Sequence, residues 1–381
     1  TALDSSQVLS NYNSTYTRFI EPSPTPTPTP TITPTITITP TQTTTPTPTP
    51  TPSITPTNTS TPTPTPTPSS TPPSSLLIVA AGGVNTIGYS SDGDNWTAAS
   101  NSSTFLSQPA LAVATNGSIF VAGGTISTNP LIYSTDGNVW SGSSNGATMF
   151  TTSVQAVAFG GGKWVAVGIS SGAAKIAYST DGITWTAAAN SNIFGSAPTA
   201  VAFNGSRWVA TAQKGGGNTN TIAYSDDGIT WSAATSSWTI FSTSARGIAW
   251  GDNRWIAVGD GTNRFAHSND GVTWSATTNG NSIITSQAYG IYYNGTDFVA
   301  VGVGTNTIAK STDGLNWTGS TNGNTTISII GYCVTWDGSK WIAGGLGTNQ
   351  LATSNDGLTW SATTNGNTVM SSRVRALAVK Q

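Results

Sequence analysis

From residue 76 onward the chain reads as short apolar runs separated by turn residues, and the pattern returns every 43 to 46 residues. In one copy GIAW (247–250) leads into the turn GDN, then the run RWIAVG (254–259) and the turn GTN. RFAHS (264–268), the tight turn NDG and the run VTWSAT (272–277) complete the unit. Runs of this length, rich in β-branched and aromatic residues and bounded by Asp-Gly or Asn-Gly, predict strands joined by hairpins. No stretch of the region keeps a helical period. Four strands in a repeat of this length make one blade of a β-propeller.

The clearest element of the repeat occurs seven times. It reads YSSDGDNW (89–96), YSTDGNVW (133–140), YSTDGITW (178–185), YSDDGITW (224–231), HSNDGVTW (267–274), KSTDGLNW (310–317) and TSNDGLTW (353–360). The region enters at SLLIVAAGG, which aligns with a second strand, and leaves at RVRALAVKQ (373–381), which aligns with a first. One blade is therefore expected to combine the C-terminal strand with three N-terminal strands, closing the ring by main-chain hydrogen bonds and hiding its edges. The predicted fold is all-β: a seven-bladed β-propeller of four-stranded antiparallel blades over residues 76–381.

What precedes it cannot form a core. Residues 22–75 hold 18 of the 21 prolines, alternating with threonine. Proline at every second position favours polyproline II, in which this tract could extend about 160 Å. Successive threonines, such as Thr25, Thr27, Thr29, Thr47, Thr49, Thr51, Thr63, Thr65 and Thr67, then visit every side of the rod. Such a composition marks a mucin-like, O-glycosylated stalk, with a bare linker as the alternative. Residues 1–21 are more apolar. Val8, Tyr12, Tyr16 and Phe19 or Ile20 sit at helical spacing, and Tyr16, Arg18 and Ile20 fit a short strand equally. The segment reads as a docking or assembly element, or as a frayed terminus.

The octapeptide resembles the Asp-box of the sialidase-type (BNR) repeat superfamily, usually written Ser-x-Asp-x-Gly-x-Thr-Trp. The resemblance covers all seven repeats, with glycine one residue early, which suggests a tighter hairpin and a divergent branch. It implies a structural role for the box, on the turn between third and fourth strands and away from the active face. The residue chemistry agrees with that role. Asp92, Asp136, Asp181, Asp227, Asp270, Asp313 and Asp356 are suited to accept turn N–H groups, and the glycine after each permits positive φ. Trp96, Trp140, Trp185, Trp231, Trp274, Trp317 and Trp360 offer apolar bodies to pack between blades.

The same resemblance raises a hydrolase, whose residues are missing. A glycosidase normally needs two carboxylates. Glu21, ahead of the stalk, is the only glutamate in the chain. Of the aspartates outside the boxes, Asp94 and Asp226 fall on third-to-fourth turns and Asp252, Asp297 and Asp337 on first-to-second turns, which share a face. Asp260 alone belongs to the opposite face. The arginine triad of sialidases fails to appear, because Arg207, Arg246, Arg254, Arg264, Arg373 and Arg375 cluster at strand starts of a few blades. With one histidine, His267, and one cysteine, Cys333, neither a catalytic triad nor a zinc site can be assembled, and no cofactor is expected. His267 and Cys333 read as strand residues, and GGGK (160–163) as a β-turn.

Charged residues make up 7% of the chain and the net charge is −2, which excludes a nucleic-acid surface; no apolar run is long enough to span a membrane as a helix. TTNGNS (277–282), STNGNT (320–325), TTNGNT (363–368) and the GTN turns put amides and hydroxyls on one face, where they could meet sugars, with Trp238 as the lone stacking ring. Sequons for N-glycosylation stand at Asn13, Asn58, Asn95, Asn101, Asn116, Asn204, Asn294, Asn316 and Asn324. The expected function is that of a non-enzymatic extracellular protein, a subunit self-associating through residues 1–75 into a surface filament. A glycan-binding adhesin and, more remotely, a divergent glycoside hydrolase are the alternatives.

Overall fold

The computed structural model describes residues 76–83, 87–106, 109–125, 129–170 and 174–381. The docking segment 1–21, the stalk 22–75 with its threonines, and the sequons at Asn13 and Asn58 lie outside the described residues.

Seven four-stranded antiparallel sheets form the ring, as the repeat count predicts. In blade 5 the strands are Ser244–Gly251, Arg254–Asp260, Phe265–Ser268 and Ser275–Ala276, in that order from first to fourth. Blade 1 is the composite one. Its first strand is Val374–Lys380, and Leu77–Gly82, Ile87–Ser90 and Thr97–Ala98 supply the rest. The register runs from Leu77 opposite Lys380 to Gly82 opposite Val374, so the two halves meet along a full strand.

The interior follows from residue size. First strands carry small side chains such as Ala112, Ala114, Ala200, Ala202, Ala249 and Ala378, all fully buried, which lets the blades converge on the axis. Second strands start on large rings. Trp164, Trp208, Trp255 and Trp341 are among the largest fully buried side chains, as are box tryptophans such as Trp140 and Trp360.

One expectation needs correcting. The connections from fourth to first strands are not plain turns: Ser102–Phe105, Gly146–Met149, Ser237–Ile240, Gly280–Ile283, Gly323–Thr326 and Gly366–Val369 each form a single helical turn. Four residues leave no period in a sequence for a pattern search to find.

Candidate binding site at the channel mouth

The seven boxes share one geometry. In each, the serine hydroxyl donates to the aspartate Oδ1 at 2.8–3.0 Å. The same Oδ1 accepts the backbone N–H groups two and three residues on, as from Leu315 and Asn316 to Asp313 at 2.8 Å. The glycine sits at φ +70° to +75°, where a β-carbon would be strained. In five boxes the indole N–H donates to that glycine's carbonyl, as Trp96 does to Gly93 at 3.1 Å. All seven carboxyls titrate below their ordinary value. At Asp92 the side-chain amide of Asn95 is the largest influence; at Asp313 burial pushes upward, but hydrogen bonds from Asn316 outweigh it and hold the carboxyl at about 2. These aspartates are committed to their turns.

The leading asparagines of the Asn-Gly loops are similarly occupied. Asn365 accepts the backbone N–H of Trp96 at 2.7 Å and donates to the carbonyl of the same residue at 3.0 Å, clasping the next blade. Asn101, Asn145, Asn279 and Asn322 clasp Trp140, Trp185, Trp317 and Trp360 in the same two-handed way. These five asparagines have φ between −133° and −140°. Asn190, at φ 56°, reaches only the Trp231 carbonyl at 3.4 Å, and Ser236 stands at the remaining junction. Asn263, Asn306 and Asn349 of the GTN turns donate to carbonyls of the neighbouring loops. Among the sequons, the amide nitrogens of Asn101 and Asn324 are engaged within the fold, and those of Asn95 and Asn316 hold their box aspartates. Asn116, Asn204 and Asn294 use their amide oxygens to cap first-to-second turns.

The feature that sequence reading missed lies at the axis. Every first strand carries a β-bulge at the same point. In blade 5 Ala245 faces Gly259 and Gly247 faces Val258, so Arg246 has no partner in the ladder. Leu111, Gln155, Thr199, Tyr289, Tyr332 and Arg375 are skipped identically. A bulged residue is re-aimed out of the sheet. All seven line one cavity of about 170 Å³, together with Gln213. In six blades the bulge is written into the opposite strand as glycine, and in blade 4 Ala212 stands there. A β-carbon on Gly259 would stand 2.1 Å from the Ser244 carbonyl, and Gly168, Gly302 and Gly345 are equally crowded.

Around this ring the residues sort into two arcs. Arg246, Tyr289, Tyr332 and Arg375 follow one another over four blades. The Arg246 guanidinium lies 4.7 Å from the Tyr289 ring centre and that of Arg375 lies 4.0 Å from Tyr332, while the two tyrosines meet edge to face at 5.3 Å. Leu111, Gln155 and Thr199 complete the circle with no charge. Arg246 and Arg375 thus line one cavity although 129 residues apart, because a spacing of 43 residues per blade returns residues 246, 289, 332 and 375 to the same level. The cavity opens where first strands begin and second strands end, the end of the channel opposite the boxes. Asp260 stands there, buried, ion-paired to Arg246 at 3.0 Å and accepting from Gln287 at 3.2 Å. Tyr289 donates to Gln287 at 2.6 Å, and burial raises its phenol above the ordinary value.

Four acidic side chains stay apart from this ring. Asp94, Asp226, Asp252 and Asp297 pair with Lys340, Arg207, Arg254 and Lys310 on the far face. Asp337 caps its turn by accepting from Ser339 and Lys340. Cys333 is buried, and burial raises its thiol far above the ordinary range. His267 stands in a third strand, its imidazole lowered first by burial and then by Arg254. Gly160–Lys163 is the expected β-turn, and Trp238 projects 40% exposed from the helical turn before blade 5. No group of three or more His, Cys, Asp or Glu able to hold a metal exists among the described residues.

No family model matches the chain, and no curated protein matches it in sequence. Solved structures do resemble it. One is YCF48 bound to D1 peptide, at 16% identity over 71% of this chain and 91% of that one, with a TM-score of 0.48. The WD40 β-propeller domain of Doa1 shares 13% identity over 73% and 88%, with a TM-score of 0.46. The Niastella koreensis GH74 enzyme shares 16% over 76% of this chain but 55% of its own, with a TM-score of 0.34. It is the seven four-stranded sheets themselves that make the chain a seven-bladed β-propeller.

Proposed function

We propose that the chain is a non-catalytic extracellular recognition protein, a divergent member of the Asp-box repeat superfamily whose propeller binds ligand at the channel mouth and is carried on the Thr/Pro-rich stalk. The observation that carries this reading is the ring of seven bulged side chains. A rigid scaffold aims one side chain per blade into a single cavity, and what it assembles is cation, aromatic ring and amide. Hydrolysis of a glycoside asks for two carboxylates, one of them with a raised pKa. The cavity offers Asp260, which Arg246 and Gln287 already hold. Binding needs no such pair.

The full chain applied to an array of neutral and acidic glycans is expected to bind a narrow subset, and Tyr332→Ala should erase that binding. A blank array sinks the adhesin reading. The stalk favours a companion role, because a Thr/Pro rod ahead of a display domain suits a filament subunit. Deleting residues 1–75 is expected to abolish polymers; polymers that persist refute self-association through that segment.

A further inference from the structure

We infer that Asn204 and Asn294 are self-modifying sites: on their first-to-second turns each converts spontaneously to aspartate and isoaspartate, while the inter-blade clasps hold the same Asn-Gly pair inert. The reaction needs only water and is independent of what the channel binds.

The chain contains seven Asn-Gly pairs, and the fold sorts them. The chemistry is a ring closure. The main-chain nitrogen of the glycine attacks Cγ of the asparagine and the bond from Cγ to Nδ2 breaks. Nδ2 takes up the proton that the glycine nitrogen loses and leaves as ammonia. Water then opens the imide at either carbonyl, giving aspartate or isoaspartate, with nothing oxidised or reduced. Glycine, having no β-carbon, leaves the approach open. Three conditions then set the rate at any one pair: a free glycine N–H, a polarised side-chain carbonyl and an unengaged Nδ2.

Asn204 and Asn294 meet all three. Oδ1 of Asn204 accepts the N–H of Ser206 at 3.0 Å, the Ser206 hydroxyl at 3.2 Å and the N–H of Arg207 at 2.7 Å. Oδ1 of Asn294 accepts the N–H and the hydroxyl of Thr296, both at 3.0 Å, and the N–H of Asp297 at 2.8 Å. Three donors aimed at one carbonyl oxygen make an oxyanion hole, which stabilises the negative charge that grows there as the nitrogen adds. Among the described residues neither side-chain Nδ2 has an acceptor, and neither does the N–H of Gly205 or Gly295.

The other five pairs each fail a condition. At Asn116 the N–H of Gly117 donates to Thr115 Oγ1 at 3.1 Å, and Oδ1 receives only two donors, Ser118 and Ile119 at 2.9 Å. At Asn145, Asn279, Asn322 and Asn365 both amide atoms are bound to a tryptophan backbone of the next blade. The glycine that follows each of these four is buried. Blade 7 already carries the product. Asp337, in the corresponding turn, accepts the N–H and hydroxyl of Ser339 and the N–H of Lys340, all at 2.8 Å, so an aspartate fits this cap. Each conversion adds a negative charge to the face that carries the boxes, and it consumes the nitrogen on which a sequon glycan would be built.

Peptide mapping by mass spectrometry tests this on the full chain, made in a host that adds no N-glycan and incubated at pH 8 and 37 °C. Asn204 and Asn294 are expected to convert about fivefold faster than Asn116 and roughly 30-fold faster than the four clasped asparagines, since one and two further hydrogen bonds must open there. In urea all seven pairs should converge on one rate, because the dipeptide is the same. Thr296→Val, at an exposed position, removes one donor to Oδ1 and should slow Asn294 about fivefold in the folded chain, but not in urea, while Asn204 is unchanged. Clasped asparagines that convert as fast as Asn204 and Asn294 in the folded chain, Asn116 outpacing both, a ranking that survives in urea, or indifference of Asn294 to Thr296→Val overturns the inference.

Discussion

Replacing Asn365 by alanine tests what holds the blades together. Its amide spans from the last inter-blade loop to the Trp96 backbone of blade 1, accepting at 2.7 Å and donating at 3.0 Å. Truncation deletes both bonds and leaves a partly buried N–H and C=O to find water. Two ordinary hydrogen bonds at about 1 kcal/mol each give a loss of about 2 kcal/mol. With an unfolding entropy of about 2.1 cal/mol/K per residue over residues 76–381, each kcal/mol moves the midpoint by about 1.6 °C, so the Tm should fall by about 3 °C. Differential scanning calorimetry resolves that shift. The matched control is Asn190→Ala. At φ 56° that side chain makes one 3.4 Å contact, and the expected shift is under about 1 °C. Asn322→Ala, which removes an equivalent two-handed clasp from Trp360, should match Asn365→Ala. Equal shifts for Asn365 and Asn190, or a shift below 1 °C for Asn365, would refute the idea that these amides fasten one blade to the next.

Two further outcomes follow from the boxes and the bulges. Because all seven box carboxyls titrate below the unfolded value near 3.9, their stabilisation is complete above about pH 5 and is lost progressively as pH falls through 3.9 toward the 2 of Asp313. The Tm measured from pH 7 downward should stay flat to about pH 5 and then drop, and a decline that begins above pH 6 contradicts the assignment. Gly259→Ala forces a β-carbon against the Ser244 carbonyl and should cost about 1–3 kcal/mol despite the entropy alanine saves. A Tm at or above that of the parent chain would show that blade 5 accommodates a β-carbon there as blade 4 does with Ala212.

The ring was legible because its signals are local and repeated. An Asp-Gly turn followed by tryptophan at a fixed offset marks each third-to-fourth hairpin, and a lone second-type strand at one end with a lone first-type strand at the other forces the composite blade. The channel was hidden for the opposite reason. Alternation in the first strand breaks at the bulge, so a strand read as GIAW starts at Gly247 and leaves Arg246 in the loop before it. Nothing at one site marks Arg246 or Arg375 as a neighbour of the other. The trace that would have revealed them is the glycine closing nearly every second strand, in WVAVG, WIAVG, FVAVG and WIAGG. The clasp made by the Asn-Gly loops was hidden because asparagine is an ordinary turn residue, and its bond to a tryptophan backbone about 40 residues on leaves no mark in composition.

The seven bulged positions have a consequence for how such a molecule can vary. Residues in the ladder are tied to neighbours on two sides, and a change in one requires an answer from another. The bulged residue is released from the ladder, since its backbone is skipped by the register and its side chain leaves the sheet to meet only its neighbours around the axis. Leucine, glutamine, threonine, arginine and tyrosine already occupy it on near-identical backbones. The axis therefore behaves as a seven-letter word set in a fixed frame, in which letters can be exchanged singly while the frame stays standing. A lineage could change what it recognises at one position per blade and leave folding untouched.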